Sequence, residues 1–109
     1  MNAKATEVAA LLCTCPPDHA ERLARFLVEG RLAACVNIVP AVTSIYRWKD
    51  QMEQDTECLL IIKCPRAAVR PVTEALVSEH PYDLPEVIAV SIEDGNRDYL
   101  RWVLDACTR

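Results

Sequence analysis

The sequence predicts a single α+β domain in which a four-stranded antiparallel sheet packs against helices. Two observations predict it. Apolar runs rich in Val and Ile alternate with segments whose apolar residues recur at helical spacing, and these segments follow the order β-α-β-β-α-β-α. The chain has 109 residues, 51% of them hydrophobic, so we expect one domain over residues 1–109, small enough to gain stability from association with further copies.

The first strand and the first helix are expected within the first thirty residues. Residues 8–14 form an apolar run that ends at a Pro-Pro pair, which predicts a buried strand. The apolar residues that follow keep helical spacing: Ala20, Leu23, Ala24 and Leu27. Asp18, with Glu21 three residues later, has the spacing of a capping box, and Gly30 is placed to end the helix. The sequence therefore predicts a helix that Asp18 caps and Gly30 terminates.

A long hairpin is expected next. Residues 34–48 are rich in Val, Ile, Thr and Tyr and predict a strand that bends at Pro40, because proline cannot donate to the hydrogen-bond ladder. Residues 49–51 are polar and predict a tight turn. Residues 53–63 resume extended structure and end in the apolar run typical of a central strand covered on both faces. Strands two and three therefore form an unusually long hairpin.

A second helix and a fourth strand follow the hairpin. Helical spacing begins at Val69 and ends before Pro81, with Pro71 in the first turn, where its missing N–H has no helical partner. Residues 80–86 contain two prolines and predict a rigid loop. Residues 87–92 are apolar and predict the fourth strand, after which the chain turns into a last helix.

The last helix completes a recognisable architecture. Asn96 is its expected N-cap, and its apolar positions keep a 3.6-residue period: Tyr99, Trp102, Val103 and Ala106. Two split β-α-β units joined by a hairpin are typical of the ferredoxin-like fold. In that topology the end of strand one lies beside the start of strand four, so Cys13 and Cys15 are expected near Glu86 and near the loop that carries His80.

Charge and composition exclude several classes of partner and site. The net charge is −4 and no two basic residues are adjacent, which argues against nucleic acids and anionic membrane surfaces as partners. We recognise no signal peptide and no run long enough to span a bilayer. A cytoplasmic protein with six reduced cysteines is therefore expected. Only two glycines are present, so no glycine-rich phosphate loop is possible, and we expect no enzymatic activity.

Five groups of residues, spaced along most of the chain, point to one known family. They are residues 33–38, residues 44–48, residues 57–63, His80-Pro81-Tyr82 with Pro85-Glu86, and Tyr99 with Trp102. In this order, over residues 8–102, they resemble the CutA family of divalent-cation-tolerance proteins. The resemblance implies a ferredoxin-like subunit whose long hairpin helps to build a homotrimer similar in plan to the PII signalling proteins. It also implies binding of copper or another divalent metal ion.

Candidate metal ligands lie at the end of strand one and in the loop before strand four. Cys13 and Cys15 place two soft sulfur atoms on one face of a strand, and His80 is expected nearby. The resemblance puts the family's proposed copper ligands at Cys13 and His80. Some members carry a second His where this chain has Glu79, a harder ligand; Cys15 and, farther away, His19 are additional candidates. Alternatively, Cys13 packs in the sheet and His80 caps the second helix.

The predicted hairpin favours a trimer independently of the resemblance. A lone hairpin of this length would expose Tyr46, Trp48 and two unpaired edges, whereas neighbouring subunits in a threefold ring would cover them. The alternative is a monomer whose hairpin bends to cover itself. A trimer would contain clefts between its subunits, and the residues expected to line them are Tyr46, Trp48, Lys63, Tyr82, Glu86, Tyr99 and Trp102.

Three functions follow as hypotheses. The first is a cytoplasmic homotrimer that binds copper or other divalent ions and serves tolerance of them. The second is a PII-like signalling module whose cleft receives a small anionic or nucleotide ligand, with positive charge supplied by Arg47, Lys63 and Arg101. The third is a trimeric anchor for an unidentified protein.

Overall fold

The computed structural model describes residues 4–108 and contains one four-stranded sheet with three α-helices. The elements, in chain order, are β1 (Val8–Cys15), α1 (Pro17–Glu29), β2 (Cys35–Trp48), β3 (Gln51–Pro65), α2 (Val69–Glu79), β4 (Ile88–Ser91) and α3 (Arg97–Ala106), with 3-10 turns at Ala5–Glu7 and Arg66–Ala68. The strands lie in the order β2-β3-β1-β4, and every neighbouring pair is antiparallel. The predicted α+β, ferredoxin-like fold is therefore confirmed.

The main core lies between one face of the sheet and helices α1 and α2. Side chains alternate along β1, so that Leu11, Cys13 and Cys15 are fully buried among apolar residues of both helices. A smaller cluster joins Val8 to Leu100 and Val103 of α3. None of the helices within residues 4–108 has the length and hydropathy needed to cross a membrane.

The hairpin of β2 and β3 is long and bent, as predicted. It pairs from Cys35 with Lys63 to Trp48 with Gln51, and the register shifts between Val39 and Val42, next to the proline at which the sequence predicts a bend. The turn is shorter than predicted, because Lys49 and Asp50 alone form it. Both have positive φ, 51° and 63°, as a two-residue turn between twisted strands requires.

Helix α1 begins two residues earlier than predicted, since its cap is Pro16 and not Asp18. Its N-cap is Pro16, which makes no side-chain hydrogen bond, and the first helical residue is Pro17. Proline suits this first position, because its ring presets φ and its missing N–H has no helical acceptor. Asp18 therefore lies inside the first turn, and the predicted capping box with Glu21 is wrong. Gly30 does end the helix, as predicted.

The remaining elements follow the predictions closely. Pro71 lies in the first turn of α2. Asn96 caps α3, since its side-chain oxygen accepts hydrogen bonds from the backbone N–H groups of Asp98 and Tyr99. Strand β4 is shorter than predicted, because Val87 packs against the main core and Ile92 against the α3 cluster, outside the ladder.

The face of the sheet opposite α1 and α2 carries exposed apolar side chains. In β4, Ile88 is opposite Leu12 and Val90 is opposite Ala10, so these four side chains leave the sheet on the same face. Ile88 is 53% exposed and Val90 44%. Within a single chain this apolar face, hereafter the open face, is incompletely covered.

Candidate functional site

A cavity of about 760 Å³ lies between the outer half of the hairpin and the loop that leads into β4. The end of β1 contributes Thr14 to its wall. Three aromatic side chains line it: Tyr46 and Trp48 from β2, and Tyr82 from the loop. The sequence predicted all three as cleft residues, together with Glu86, which also lines this cavity.

The cavity is acidic. Four of the residues that line it carry carboxylates, and these are Asp55, Glu57, Asp83 and Glu86. Among residues 4–108, no Lys, Arg or His lines it. The three basic residues that the sequence suggested for an anion site, Arg47, Lys63 and Arg101, do not contribute to the wall. The cavity therefore favours positively charged ligands over anions.

The buried Glu57 and the partly exposed Tyr82 form a hydrogen-bonded pair in the wall of the cavity. Glu57 is only 6% exposed, and the Tyr82 hydroxyl donates to its Oε2 atom over 2.9 Å. Burial, followed by this hydrogen bond to Glu57, raises the pKa of Tyr82 far above its ordinary value. The phenol therefore keeps its proton and donates to the carboxylate. This pair attaches the loop to β3.

A second tyrosine and carboxylate pair lies nearer the tip of the hairpin. The Tyr46 hydroxyl donates a hydrogen bond to Asp55 on the neighbouring strand. This bond is the main reason why the pKa of Tyr46 rises to about 12. Both pairs thus present a protonated phenol and a carboxylate to the cavity.

His80 fastens the same loop to β1. Its Nε2 atom is 2.8 Å from the carbonyl oxygen of Thr14, and the backbone N–H of Tyr82 donates to its Nδ1 atom over 3.1 Å. Because a carbonyl only accepts, Nε2 must carry the proton, and Nδ1 is the acceptor. Both ring nitrogens are therefore engaged. It is the backbone N–H of His80, and not its imidazole, that bonds to α2, at the carbonyl of Leu76.

The predicted proximity of Cys13, His80 and Glu86 is present in the fold. The Cys13 sulfur is 3.7 Å from the Thr14 carbonyl oxygen, the same atom that His80 contacts. Burial, with smaller contributions from Cys15 and from Glu86, raises the pKa of Cys13 to about 12. At neutral pH the Cys13 thiol is therefore protonated, which is the form that does not bind metals.

The other candidate metal ligands also have partners within the chain. Glu79 accepts a hydrogen bond from Arg22 over 3.2 Å, and the same guanidinium lies 3.0 Å from Nδ1 of His19. Burial raises the pKa of Cys15 to about 11. Within the part of the chain that the structure describes, no three His, Cys, Asp or Glu side chains are placed to hold a metal ion together. The residues of one subunit therefore do not form a complete metal site.

Three of the residues predicted for the cleft between subunits do not line this cavity, and these are Lys63, Tyr99 and Trp102. Lys63 is opposite Cys35 at the base of the hairpin and hydrogen-bonds to Asn37. Burial, followed by the nearby Cys35, raises the pKa of Tyr99 in α3, and the Tyr99 ring lies 5.5 Å from that of Trp102. The predicted set therefore divides into a cavity group and a second group beside α3.

Asp55 and the role of Glu57 were not predicted from the sequence. The two carboxylates are two residues apart in β3, so they leave the strand on one face. The alternation of side chains along β3 indicates that the two carboxylates share a face. Tyr82, however, which hydrogen-bonds to Glu57, is 25 positions away along the chain. Their pairing depends on how the loop folds back over the sheet.

Comparison with known proteins identifies the family. The chain matches the family model described as CutA1 divalent ion tolerance protein over residues 9–106. A protein named Protein CutA homolog, from Xenopus laevis, is 52% identical over 99 residues, which cover 90% of this chain and 66% of that protein. The chain spans between about half and two thirds of the length of its vertebrate relatives.

Solved structures agree with this result. The divalent cation tolerance protein CutA1 from Thermus thermophilus superposes with a TM-score of 0.88 at 44% identity, covering 91% of this chain and 97% of that one. A structure described as the PII-like protein CutA from Nostoc sp. PCC 7120 has a TM-score of 0.88 at 33% identity, with 92% and 97% covered. These names refer to cation tolerance or to PII and not to an enzymatic reaction. The fold and the match over residues 9–106 together show that the chain belongs to the CutA1 divalent ion tolerance family.

Proposed function

We propose that this chain is a cytoplasmic homotrimer that binds copper or other divalent cations and serves tolerance of them. The observation that supports it best is the cavity, in which four carboxylates and no basic side chain line the described wall. Carboxylate oxygens are ligands that divalent cations accept. Because the cavity is partly enclosed, the attraction between a cation and these carboxylates is less weakened by water than on an open surface.

Formation of a trimer would supply the metal ligands that a single subunit lacks. The donors of a single subunit, within its described residues, do not converge on one metal position, so we propose that water or a neighbouring subunit supplies the missing ligands. Association is favoured by the open face, with Ile88 and Val90 exposed, and by the two edge strands β2 and β4, whose outer edges need partners. A closed threefold ring would satisfy both needs.

A copper site at Cys13 and His80 is also part of the proposal. Both side chains contact one carbonyl oxygen, that of Thr14, so they lie close together. Binding would require the Cys13 thiol to lose its proton and His80 to give up one of its two hydrogen bonds. A site of this kind therefore binds copper only if the metal–ligand bonds outweigh the contacts that hold the loop to β1.

The cation proposal is tested by thermal unfolding of the protein with Cu(II), Zn(II) or Mg(II). A cation that binds only the folded state raises its stability, by about 2.7 kcal/mol at a hundredfold excess over Kd. The variant Glu86→Gln removes one carboxylate charge from the cavity and should therefore weaken the thermal shift. Because Glu86 is exposed, this substitution should not disturb the core. Glu21→Gln, an exposed residue on α1 paired with Arg25, is the matched control. Equal shifts in both variants would overturn the cavity as the cation site.

The copper site is tested separately. His80→Gln retains a side-chain donor and acceptor but removes the imidazole, and Cys13→Val keeps the core apolar. If Cys13 and His80 bind copper, both variants bind one copper ion fewer per chain in an anaerobic titration. Unchanged copper binding in both would remove this site from the proposal.

A PII-like module that binds a small molecule is the second candidate. The volume of the cavity lies within the range of small-molecule sites, and its three aromatic side chains are typical of such sites. Its charge opposes the anionic or nucleotide ligand expected from the sequence, so nucleotides should give no thermal shift. A trimeric anchor for another protein remains the proposal if neither cations nor small molecules shift the unfolding temperature.

The cytoplasmic location rests on the cysteines. All six lie within residues 4–108 and are outside any disulfide bond there, as in proteins of reducing compartments. A structural neighbour from Archaeoglobus fulgidus is described as periplasmic. Fractionation of cells followed by detection of the native protein distinguishes the two compartments.

A further inference from the structure

Two thiols face each other in the core, outside the cavity. Cys15 of β1 is directly opposite Cys58 of β3 in an antiparallel pair, so both side chains leave the sheet on the same face. Cys15 is fully buried and Cys58 is 5% exposed. Directly opposite residues in such a pair have Cβ atoms about 4.5–5.5 Å apart. This separation allows two sulfur atoms to bind one metal ion placed between them.

We propose that Cys15 and Cys58 form a Cu(I) site in which a single ion joins the two thiolates. The inference rests on the proposed metal-binding function and adds a second, chemically distinct site to it. Thiolates are soft ligands that select Cu(I). Zinc usually requires four ligands, whereas Cu(I) accepts two thiolates in a linear arrangement. A pair with no third convergent donor among the described residues therefore suits Cu(I) better than zinc.

Binding changes the protonation of the site but not its oxidation state. Each thiol releases its proton to solvent as its S–Cu bond forms, and copper stays as Cu(I) throughout. Two neutral thiols and one cation thus become a complex with a single negative charge. A buried negative charge needs nearby positive charge to be stable.

The start of α1 supplies part of that positive charge. Cys15 immediately precedes Pro16, the N-cap of a 13-residue helix, and the positive end of a helix dipole stabilises a neighbouring anion. The Arg22 guanidinium also acts favourably on a negative charge at Cys15, whereas burial, Cys58, Glu57 and Asp18 act against it and raise the pKa of Cys15 overall. The helix end and Arg22 therefore compensate only part of this opposition, and the two S–Cu bonds must supply the rest.

The test is an anaerobic titration of the whole protein with Cu(I) against a chromogenic Cu(I) chelator. We expect the wild type to withhold one Cu(I) per chain from the chelator through this pair, and Cys58→Val and Cys15→Ala each to lose that ion. Cys64→Val is the matched control, because Cys64 is also fully buried on β3 but lies outside the pair; it should keep the ion. Circular dichroism confirms that each variant folds.

X-ray absorption at the copper edge identifies the ligands directly when it is recorded on His80→Gln, which lacks the imidazole of the other proposed copper site. A spectrum of this variant, loaded with one Cu(I) per chain, with two sulfur neighbours and no nitrogen supports the pair, and nitrogen or oxygen bound directly to the copper would overturn it. Undiminished Cu(I) binding by Cys58→Val would also overturn it. Glu86→Gln separates this site from the cavity, because it should weaken the shift caused by divalent cations and leave the Cu(I) ion in place.

Discussion

At the scale of single residues, buried polar groups hold the wall of the cavity in shape. Glu57 is a nearly buried carboxylate whose hydrogen bond comes from Tyr82, and His80 uses both ring nitrogens to hold the adjoining loop. Losing one partner of a buried charged group costs more than the net value of the bond, because the remaining group stays dehydrated. These residues therefore join the stability of the fold to the geometry of the cavity.

Tyr82→Phe tests this connection. The substitution removes only the hydroxyl group, leaves Glu57 without its donor, and should lower the free energy of unfolding by about 1–3 kcal/mol. The measurement is urea denaturation at neutral pH. Tyr46→Phe is the control, since the Tyr46 and Asp55 pair is exposed and its loss should cost less. Equal losses of unfolding free energy in the two variants would show that burial of Glu57 does not increase the cost of removing its hydrogen-bond donor.

Buried thiols make the protein sensitive to alkali. Burial raises the pKa of Cys13 from 9.0 to about 12, and those of Cys15 and Cys64 to about 11. Because the folded-state pKa values are higher, the thiols contribute stability that is complete below pH 9 and is lost as the pH rises towards 11 and 12. Urea denaturation from pH 8 to pH 11 should show this decline. Cys64→Val should reduce its slope by about 1 kcal/mol per pH unit; an unchanged slope would contradict the assignment.

At the scale of elements, local sequence signals predicted most segments, and the exceptions have physical causes. The apolar period of α3 and its cap at Asn96 are local features, and both appear as predicted. The start of α1 differs because two motifs compete there. The proline at the first helical position, and not the capping box of Asp18 and Glu21, determines where the helix begins.

Asn96→Ala tests the contrast between the two helix starts. Asn96 accepts two backbone hydrogen bonds, so its replacement should lower the free energy of unfolding by about 0.5–2 kcal/mol. Asp18→Ala removes a carboxylate of the first turn that does not cap the helix, so the loss of its interaction with the helix dipole should cost about 0.3–1 kcal/mol. Thermal unfolding of both variants gives the comparison. A larger loss of stability for Asp18→Ala than for Asn96→Ala would support the capping box that the sequence predicts.

At the scale of the whole molecule, the exposed hairpin and the open face point to association. The chain measures 51 × 26 × 22 Å along its principal axes, an elongation caused by the hairpin. The residues of its outer half are almost all exposed. A chain that leaves so much apolar surface uncovered gains stability when copies cover it.

Ile88→Asp tests the trimer. A charge on the open face should convert a trimer into single chains, as measured by light scattering in dilute buffer. Val77→Asp places the same charge at a residue of α2 that is 52% exposed, outside the open face, and should leave the trimer intact. A wild-type mass equal to one chain would contradict the proposed assembly.

The sequence by itself determined the order of elements, the long hairpin, the cap of α3 and the family, because each depends on residues close together in the chain or on motifs in a set order. The tertiary structure alone decided that Lys63, Tyr99 and Trp102 lie apart from the cavity, that both nitrogens of His80 are engaged, and that Cys15 faces Cys58. These facts depend on strand register and on the path of one loop. Register and loop path arise from packing between distant segments, which local patterns do not encode.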